Sequence, residues 1–394
     1  MPKIIGFDMS RLQIDRNGKI DGLTTYTRQI LEALCACGCK QHIVGIYFAD
    51  MDFEELASTI IQKYREIISL APINRLEDIA QIVEEYQIDI FYSSLPNLRK
   101  PDCYLLDCKR IFSIHGMRAV EMPLDRYEYK YRDSLKEYLI FLYKKFWTQK
   151  YVDDRIQIFK HFFERQGDSA KYIITTKHTQ FTLMSLIPDI DLEQFKVWMP
   201  PLIYNKADMT VDISKEYHVD KKQFVLIIMA NRWEKNAYRA IKAMDRLYEM
   251  HKEMNIKTLV AGMKPDMSST VYKLKNQDKF SFAQYVPMGH LQTLYMNAFC
   301  LLFPSLNEGY GYPPLEAMKY GTPVITSGVS AIPEVCSNAV LYANPYSIIE
   351  LGTRIYQLLY DSEMYEELQR KGHMIYKHIQ EEYSTKKLLD LFFS

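Results

Sequence analysis

The stretch that decides the fold runs from Pro304 to Ser327 and reads Pro-Ser-Leu-Asn-Glu-Gly-Tyr-Gly-Tyr-Pro-Pro-Leu-Glu-Ala-Met-Lys-Tyr-Gly-Thr-Pro-Val-Ile-Thr-Ser. It follows one buried apolar run, Cys300–Phe303, and ends in a second, Val324–Thr326. A loop and a short helix between two such strands form the repeating unit of a doubly wound parallel sheet.

Prolines and a glycine set the limits of the predicted helix. Pro313 and Pro314 suit its first positions, where a missing N–H is tolerated. Gly321 suits the residue just past its end, and Pro323 lies beyond it. We therefore predict a helix at about 314–320, with its N-terminus pointing out of the edge of the sheet.

Strand-and-helix units of the same kind recur along the whole chain. Their strands are almost entirely apolar, as is typical of parallel strands that are covered on both faces. Helical patterns lie between them, for example Tyr26–Leu34 and Leu76–Tyr86. The fold class predicted is α/β, with two facing Rossmann-like domains across a cleft. The other predicted strands are Ile4–Phe7, Ile43–Phe48, Ile88–Tyr92, Ile111–Ile114, Ile173–Thr176, Phe224–Met229 and Thr258–Ala261.

The domain boundary is predicted near Trp198–Leu202, where two consecutive prolines stop regular structure. With 394 residues, the chain is long enough for two domains of ordinary size. The predicted domains are residues 1–200 and 201–379. Ligands of such sheets bind beyond the carboxyl ends of the strands, so the cleft is the expected site.

Composition excludes several classes of protein. Lys and Arg total 49 and so do Asp and Glu, which argues against a nucleic-acid binder with a general basic field. No apolar run approaches the ~20 residues that span a bilayer, and the start has no signal peptide. Seven cysteines, an odd number, fit a reducing compartment, so we expect a cytoplasmic protein. Cys35, Cys37 and Cys39 lack partners at zinc spacing, so we predict no metal site.

Two glutamates in the deciding stretch point to a ligand. On one continuous helix, the spacing of Glu308 and Glu316 would turn them by about 80°. With Glu308 in the loop and Glu316 in the first helical turn, both can converge. Gly309 and Gly311 let the backbone approach a ligand and expose its N–H groups. A helix N-terminus favours phosphate, whereas carboxylates need hydroxyl partners, and a sugar nucleotide offers both groups.

A plainer interpretation is that each glutamate is only a solvated residue, which would be the better interpretation for either one alone. The complete stretch from Pro304 to Ser327 is a more specific signal of a ligand site than either glutamate alone. A dinucleotide fingerprint fits less well, because Gly309-x-Gly311 lacks the third glycine and does not follow the first strand of the chain.

The segment Glu308–Ile325 resembles the Glu-x7-Glu signature of the family 4 retaining glycosyltransferases, which have the GT-B fold. Gly22 with the helix that follows is similar to the family's N-terminal glycine loop. Ile114–Pro123 looks like its His-containing loop, and Ala230–Asn236 is similar to its phosphate-binding segment.

The resemblance implies roles for individual residues. Glu308 would contact hydroxyls of the transferred sugar, and Glu316 would hold the nucleotide ribose. Arg232 and Lys235 would embrace the diphosphate. By the same resemblance, Gly22 would close on the diphosphate and His115 would lie against the donor sugar. Backbone groups of Gly309, Tyr310 and Gly311 would complete the cradle around the diphosphate. In relatives the C-terminal helix, here 380–394, packs back on the first domain, which binds the acceptor, while the second binds the donor.

Electrostatic reasoning independently supports Arg232 and Lys235 as partners of the diphosphate. A diphosphate leaving group gains negative charge, and Arg232 offers a planar fork while Lys235 offers a point charge. Taken alone, both would be ordinary surface cations, but they follow the first strand of the second domain. Many relatives place the lysine five residues after the arginine rather than three, so either the loop is shortened here or another cation shares the task. His178 is a weaker rival of His115.

The function predicted is metal-independent transfer of a hexose from a nucleotide diphosphate sugar to a hydroxyl of a lipid-linked or cell-surface glycan. The donor is a substrate, and no cofactor is expected. GDP-mannose is the donor favoured by the likeness of 231–236 to mannosyltransferases. Retention implies attack on the face that the diphosphate leaves. The alternatives are a non-catalytic sugar-nucleotide-binding scaffold and a sugar-nucleotide epimerase, which lacks this glutamate pair.

Residues 126–165 form a basic and aromatic region in an otherwise neutral protein. Such helices can lie on anionic lipid at the inner face of a membrane or hold a lipid-diphosphate acceptor. They can equally be core helices with a solvated face, or a dimer surface.

Overall fold

The fold is taken from a computed structural model, which describes residues 3–14, 22–37, 41–188, 190–200, 202, 207–263 and 273–393. The chain divides into two compact units, which are described separately. Unit 1 comprises residues 1–117, 153–203 and 382–394. Unit 2 comprises residues 118–152 and 204–381.

Unit 1 contains a parallel sheet of seven strands in the order β3-β2-β1-β4-β5-β6-β7. The order reverses between β1 and β4, as in other doubly wound sheets. The core on one face includes Phe7, Ile30 and Trp198, and the C-terminal helix adds Leu388 and Phe392. Its strands are Ile4–Asp8 (β1), His42–Phe48 (β2), Ile68–Ile73 (β3), Ile90–Ser93 (β4), Lys109–Ile114 (β5), Ala170–Ile174 (β6) and Phe195–Val197 (β7).

Unit 2 contains a parallel sheet of six strands in the order β10-β9-β8-β11-β12-β13. Here the order reverses between β8 and β11, which pair directly, with Leu301 opposite Leu226. Val225, Ile241 and Leu351 belong to the core on one face. Its strands are Phe224–Ile227 (β8), Lys257–Ala261 (β9), Phe280–Ala283 (β10), Cys300–Phe303 (β11), Val324–Ser327 (β12) and Leu341–Ala343 (β13).

Helices connect the strands in both units, as parallel pairing requires. The α-helices are Gly22–Ala36 (α1), Glu55–Lys63 (α2), Ile79–Glu85 (α3), Arg118–Glu121 (α4), Leu135–Phe146 (α5), Thr148–Gln166 (α6), Lys177–Leu186 (α7), Ile213–Tyr217 (α8), Ala237–Met250 (α9), Met288–Asn297 (α10), Tyr312–Lys319 (α11), Ile332–Cys336 (α12), Ile348–Tyr360 (α13), Ser362–Glu382 (α14) and Thr385–Phe393 (α15).

The predicted fold class is confirmed: both units are Rossmann-like parallel sheets with helical connections. One segment differs from the expected division of the chain. Residues 118–152 were expected in the first domain, but they pack with unit 2. The reason is a set of ion pairs and hydrogen bonds to the loops of unit 2, which are described below.

Candidate functional site

The carboxyl ends of β8 and β11 carry the predicted cations and the first predicted glutamate. Arg232 and Lys235 follow β8, and Glu308 follows β11. The strand order of the sheet reverses between these two strands. This is the position where open α/β sheets bind their ligands.

The loop after β11 leads directly into α11. Gly311, with φ of +106°, caps this helix at its N-terminus, and the helix begins at Tyr312. The predicted start at Pro314 is therefore wrong by two residues, because the left-handed glycine turns the chain into the helix earlier. Pro313 and Pro314 still lie in the first turn, as predicted. Since neither has an N–H, this helix end offers an anion fewer donors than an ordinary one.

Glu308 and Lys235 form a buried ion pair. The Nζ atom of Lys235 lies 2.6 Å from Oε1 of Glu308. The hydroxyl of Ser305 donates to the same oxygen at 2.7 Å. No described residue donates to Oε2 of Glu308. Burial lowers the pKa of Lys235, an effect that the charge of Glu308 partly offsets.

The backbone around Glu308 is held in place from two sides. Its N–H donates to the hydroxyl of Ser330 at 2.8 Å. The N–H of Leu306 donates to the carbonyl oxygen of Glu234 at 2.8 Å. The loops after β8 and β11 are therefore joined by a hydrogen bond, which fixes the position of Glu308 relative to Arg232 and Lys235.

The carboxylate of Glu234 binds two guanidinium groups. Arg232 donates to its Oε1 through Nε at 2.7 Å, and Arg118 binds the same oxygen. Burial of Glu234 favours the neutral acid, but Arg118, Arg232 and Lys235 outweigh that effect, so its pKa is lowered. Arg118 and Arg232 remain partly exposed, whereas Glu234 is buried. The carboxylate thus positions two cations at the carboxyl end of β8.

Asn236 shapes the loop that carries these cations. It adopts a left-handed conformation with φ of +61° at the start of α9. Its amide donates to the carbonyl oxygens of Pro304 and Pro345 at 3.0 and 2.7 Å. Asn tolerates this backbone conformation better than most residues do, so both the turn and the amide favour Asn here.

Residues 118–152 contact both site loops of unit 2. Asn307 donates to the carboxylate of Glu121 at 2.8 Å. The buried guanidinium of Arg239 on α9 forms two hydrogen bonds with Asp125, at 2.8 and 3.2 Å. Paired contacts of this type are the strongest that arginine forms with a carboxylate.

Glu316 lies in the second turn of α11, because the helix begins earlier than expected. It is half-buried, and Gln292 on α10 donates to its Oε1 at 3.4 Å. Tyr310 is buried, and its ring meets that of Tyr312 edge to face at 5.0 Å. The expected placement of Glu316 in the first turn is therefore wrong.

The remaining predicted residues lie in unit 1. His115 follows β5, and its Nε2 donates to the carbonyl oxygen of Ser94 at 2.7 Å. Its ring meets that of Tyr26 edge to face at 4.5 Å. Ser94 follows β4, next to the reversal of strand order in this sheet. Gly22 begins α1, and the loop before it, 15–21, lies outside the described residues. His178 lies in the first turn of α7.

Sequence reasoning missed Glu234, Asn236 and Arg118. The first two lie inside the segment Ala230–Asn236, which was singled out for its resemblance to a phosphate-binding segment. Arg118 lies in the His-containing segment, four residues after Ile114. The position of Glu234 between Arg232 and Lys235 in the sequence was a signal that it could pair with them. Nothing in the sequence placed Arg118 beside Glu234.

In the described parts of the chain, no group of three or more His, Cys, Asp or Glu side chains is arranged to hold a metal ion. Cys39, one of the three closely spaced cysteines, lies outside these parts. No helix among the described residues has the length and apolar character needed to cross a membrane.

Comparison with known sequences finds glycosyltransferases. Residues 208–374 match the family described as glycosyl transferases group 1. The chain is 29% identical over 197 residues to the O-antigen chain mannosyltransferase RfbU of Salmonella typhimurium, covering 50% of this chain and 53% of the relative. It is 25% identical over 229 residues to the O-antigen chain mannosyltransferase B of Escherichia coli, covering 56% and 59%. The chain thus spans about half the length of the curated relatives it matches.

Comparison with solved structures shows that the fold is shared by glycosyltransferases. The sucrose-phosphate synthase from Thermosynechococcus elongatus matches with a TM-score of 0.68 at 15% identity, covering 99% of this chain and 98% of that one. WaaG, a glycosyltransferase involved in lipopolysaccharide biosynthesis, matches with a TM-score of 0.64 at 18% identity, covering 98% and 99%.

Proposed function

We propose that this protein is a glycosyltransferase that moves a hexose from a nucleotide diphosphate sugar to a hydroxyl of a lipid-linked or cell-surface glycan. The observation that carries the proposal is the cluster Arg232, Lys235 and Glu308 at the reversal of strand order in unit 2. The match of residues 208–374 to a glycosyltransferase family covers this cluster and supports the proposal.

In this proposal Arg232 binds the diphosphate. Its guanidinium is partly exposed and is oriented by Glu234 through Nε, so its outer face remains available to phosphate oxygens. The backbone of Gly309, Tyr310 and Gly311 completes the cradle. As charge develops on the departing diphosphate, these fixed donors stabilise it without reorganising.

Glu308 grips the transferred sugar in this proposal. Lys235 and Ser305 occupy Oε1 and fix the orientation of the carboxylate, which leaves Oε2 to accept hydrogen bonds from sugar hydroxyls. Lys235 thus acts on the sugar through Glu308, and its charge also adds to the positive field at the diphosphate. Glu316 accepts hydrogen bonds from the ribose hydroxyls.

The reaction follows the retaining course of family 4, to which we assign the Glu308–Glu316 pair as the Glu-x7-Glu motif. The bond between the anomeric carbon and the diphosphate oxygen breaks, and the acceptor oxygen bonds to the same face of that carbon. The acceptor proton passes to the departing phosphate oxygen. Gly22 closes on the diphosphate, and His115 lies against the donor sugar.

Two relatives suggest the donor. Both are named as O-antigen mannosyltransferases, which supports mannose as the transferred sugar, and we propose GDP-mannose as its donor. The proposal includes metal independence, since two cations and the helix end take the diphosphate charge; activity that persists in excess chelator would agree with it. Cys300 and Cys336 are buried free thiols, which fits a cytoplasmic location.

A non-catalytic sugar-nucleotide-binding scaffold and a sugar-nucleotide epimerase are the alternatives. A thermal-shift screen over nucleoside diphosphates and their sugars identifies the donor, because ligand binding raises the melting temperature by mass action. Incubation with the best donor then separates the three. Slow release of free sugar with the anomeric configuration of the donor supports the proposal, no turnover indicates a scaffold, and a changed sugar indicates an epimerase.

A further inference from the structure

Helix α5 exposes a continuous apolar stripe. Leu135, Leu139, Leu142 and Phe146 follow one another at helical spacing and share one face of the helix. Leu135 is 75% exposed, Leu139 is 55% exposed and Phe146 is 68% exposed. Trp147, directly after the helix, is 56% exposed. Large apolar side chains gathered in this way mark a surface that binds something.

The opposite face of α5 is fixed to unit 2. Phe141 is buried, and the ammonium of Lys144 donates to the carbonyl oxygen of Pro123 at 2.8 Å. Lys144 also pairs with the buried carboxylate of Glu128 and lies 5.3 Å from the ring centre of Trp233. Since these contacts hold the inner face, the helix cannot rotate to bury its outer stripe.

Lysines and tyrosines border the stripe on both sides. By helical geometry, Lys136 and Tyr143 flank one edge, and Tyr138 and Lys145 flank the other. Both lysines are exposed. The acid on this helix, Glu137, accepts a hydrogen bond from the backbone N–H of Asp133 at 3.0 Å and so closes the N-terminal turn. Each edge of the stripe therefore carries one exposed lysine.

We infer that this face of α5 docks on a membrane surface that contains anionic lipids, with the helix axis parallel to the bilayer. Its apolar side chains enter the boundary between headgroups and acyl chains. Lys136 and Lys145 extend toward the lipid phosphates, and Tyr138 and Tyr143 lie at headgroup level. An apolar contact with a second copy of this chain would not require lysines on both edges of the stripe, whereas lipid phosphates would bind them. This difference favours lipid over a second copy of this chain.

Vesicle flotation of the full chain tests the inference. The vesicles contain phosphatidylcholine alone or mixed with phosphatidylglycerol. We expect flotation with the mixed vesicles only. The variant Leu139→Ser/Phe146→Ser and the variant Lys136→Glu/Lys145→Glu should each reduce it by about tenfold or more. Phe181→Ser, at a 62% exposed phenylalanine on α7, is the matched control and should float as the unaltered chain does.

Three outcomes would overturn the inference. They are absence of flotation with both kinds of vesicle, equal flotation with neutral vesicles, and a dimer in light scattering that Leu139→Ser/Phe146→Ser dissociates. The fluorescence of Trp147 gives a second readout, since its emission should shift to shorter wavelength with mixed vesicles and lose that shift in Trp147→Phe. Nucleotide-induced thermal shifts should be equal in all variants, so failure of docking leaves the proposed function standing.

Discussion

The ammonium of Lys235 lies 2.6 Å from a carboxylate oxygen of Glu308, and both side chains are buried at the carboxyl ends of neighbouring strands. Neither charge is stable there without the other, because burial removes the water that would solvate it. The pair therefore fixes the position of the carboxylate that we assign to the sugar, and it makes the site sensitive to loss of either partner.

Replacing Glu308 alone should destabilise the protein. Glu308→Leu leaves a buried ammonium uncompensated, and we expect a loss of about 3–5 kcal/mol in the free energy of unfolding at neutral pH. Urea denaturation measures it. The double variant Lys235→Met/Glu308→Leu is the control and should regain most of the loss. A double variant as unstable as Glu308→Leu would contradict the account.

The same variant should show a defined pH dependence. Burial lowers the pKa of Lys235 below 10.5, and loss of Glu308 removes an interaction that raises it. Between the two pKa values the unfolded chain binds the proton and the folded chain does not, so stability rises with pH. The deficit of Glu308→Leu should therefore shrink between neutral pH and about pH 10. A deficit that grows over this range would show that the ammonium is not the cause.

Glu234 should contribute stability that acid removes. Its lowered pKa means that the contribution is present above the ordinary value of 4.5 and is lost as pH falls through the folded-state value. Glu234→Gln should cost about 1–3 kcal/mol at neutral pH. Denaturation curves at several pH values should show the difference from the unaltered chain narrowing in acid. A difference that widens in acid would be the opposite of what the ion pairs require.

Asn236→Ala should destabilise the protein more than Asn236→Gly does. Both substitutions lose the amide contacts to Pro304 and Pro345. Alanine in addition strains the left-handed backbone at φ of +61°, by about 1–2 kcal/mol. We expect Asn236→Ala to be less stable than Asn236→Gly by about that amount, as measured by denaturation. Equal stabilities would mean that the turn relaxes.

Gly311 should tolerate a side chain poorly for reasons of backbone alone. Among the described residues, a Cβ there would approach just the side chain of Ile332, at 4.0 Å, yet φ is +106°. Gly311→Ala should cost about 1–3 kcal/mol and should weaken nucleotide binding by moving the start of α11. Gly352→Ala, within helix α13, is the matched control and should be neutral or stabilising. Similar losses in both variants would argue against a special role for Gly311.

The sequence predicted the central strands of both sheets and missed the edges. The strands that went unpredicted, β3, β7, β10 and β13, are the edge strands of the two sheets. Those at the centre are buried at most positions, and Cys300–Phe303 is buried at every one, so they read as clean apolar runs. Phe280–Ala283 is only half-buried throughout, so its pattern is indistinct. A continuous apolar run is expected only where a strand is buried on both faces, and the four edge strands are each partly exposed.

The sequence points to candidate site residues where they lie close together along the chain. Glu308, Arg232 and Lys235 were identified from segments that each follow one strand. The contact between Lys235 and Glu308, 73 residues apart, depends on which strands are neighbours, and the sequence does not state that order. The same holds for Arg118 and Glu234, which are 116 residues apart. Pairs of residues that meet across the sheet edge can be identified only when the order of the strands is known.

The most direct test of the account is calorimetric titration of nucleoside diphosphates into the unaltered chain and into Arg232→Ala. Arg75→Ala, an exposed arginine on unit 1, is the matched control. Loss of a charged hydrogen bond worth about 1.5–3 kcal/mol predicts binding of the preferred diphosphate that is roughly 10- to 150-fold weaker in Arg232→Ala and unchanged in Arg75→Ala. Equal affinity of Arg232→Ala and the unaltered chain would contradict a diphosphate site at the end of β8.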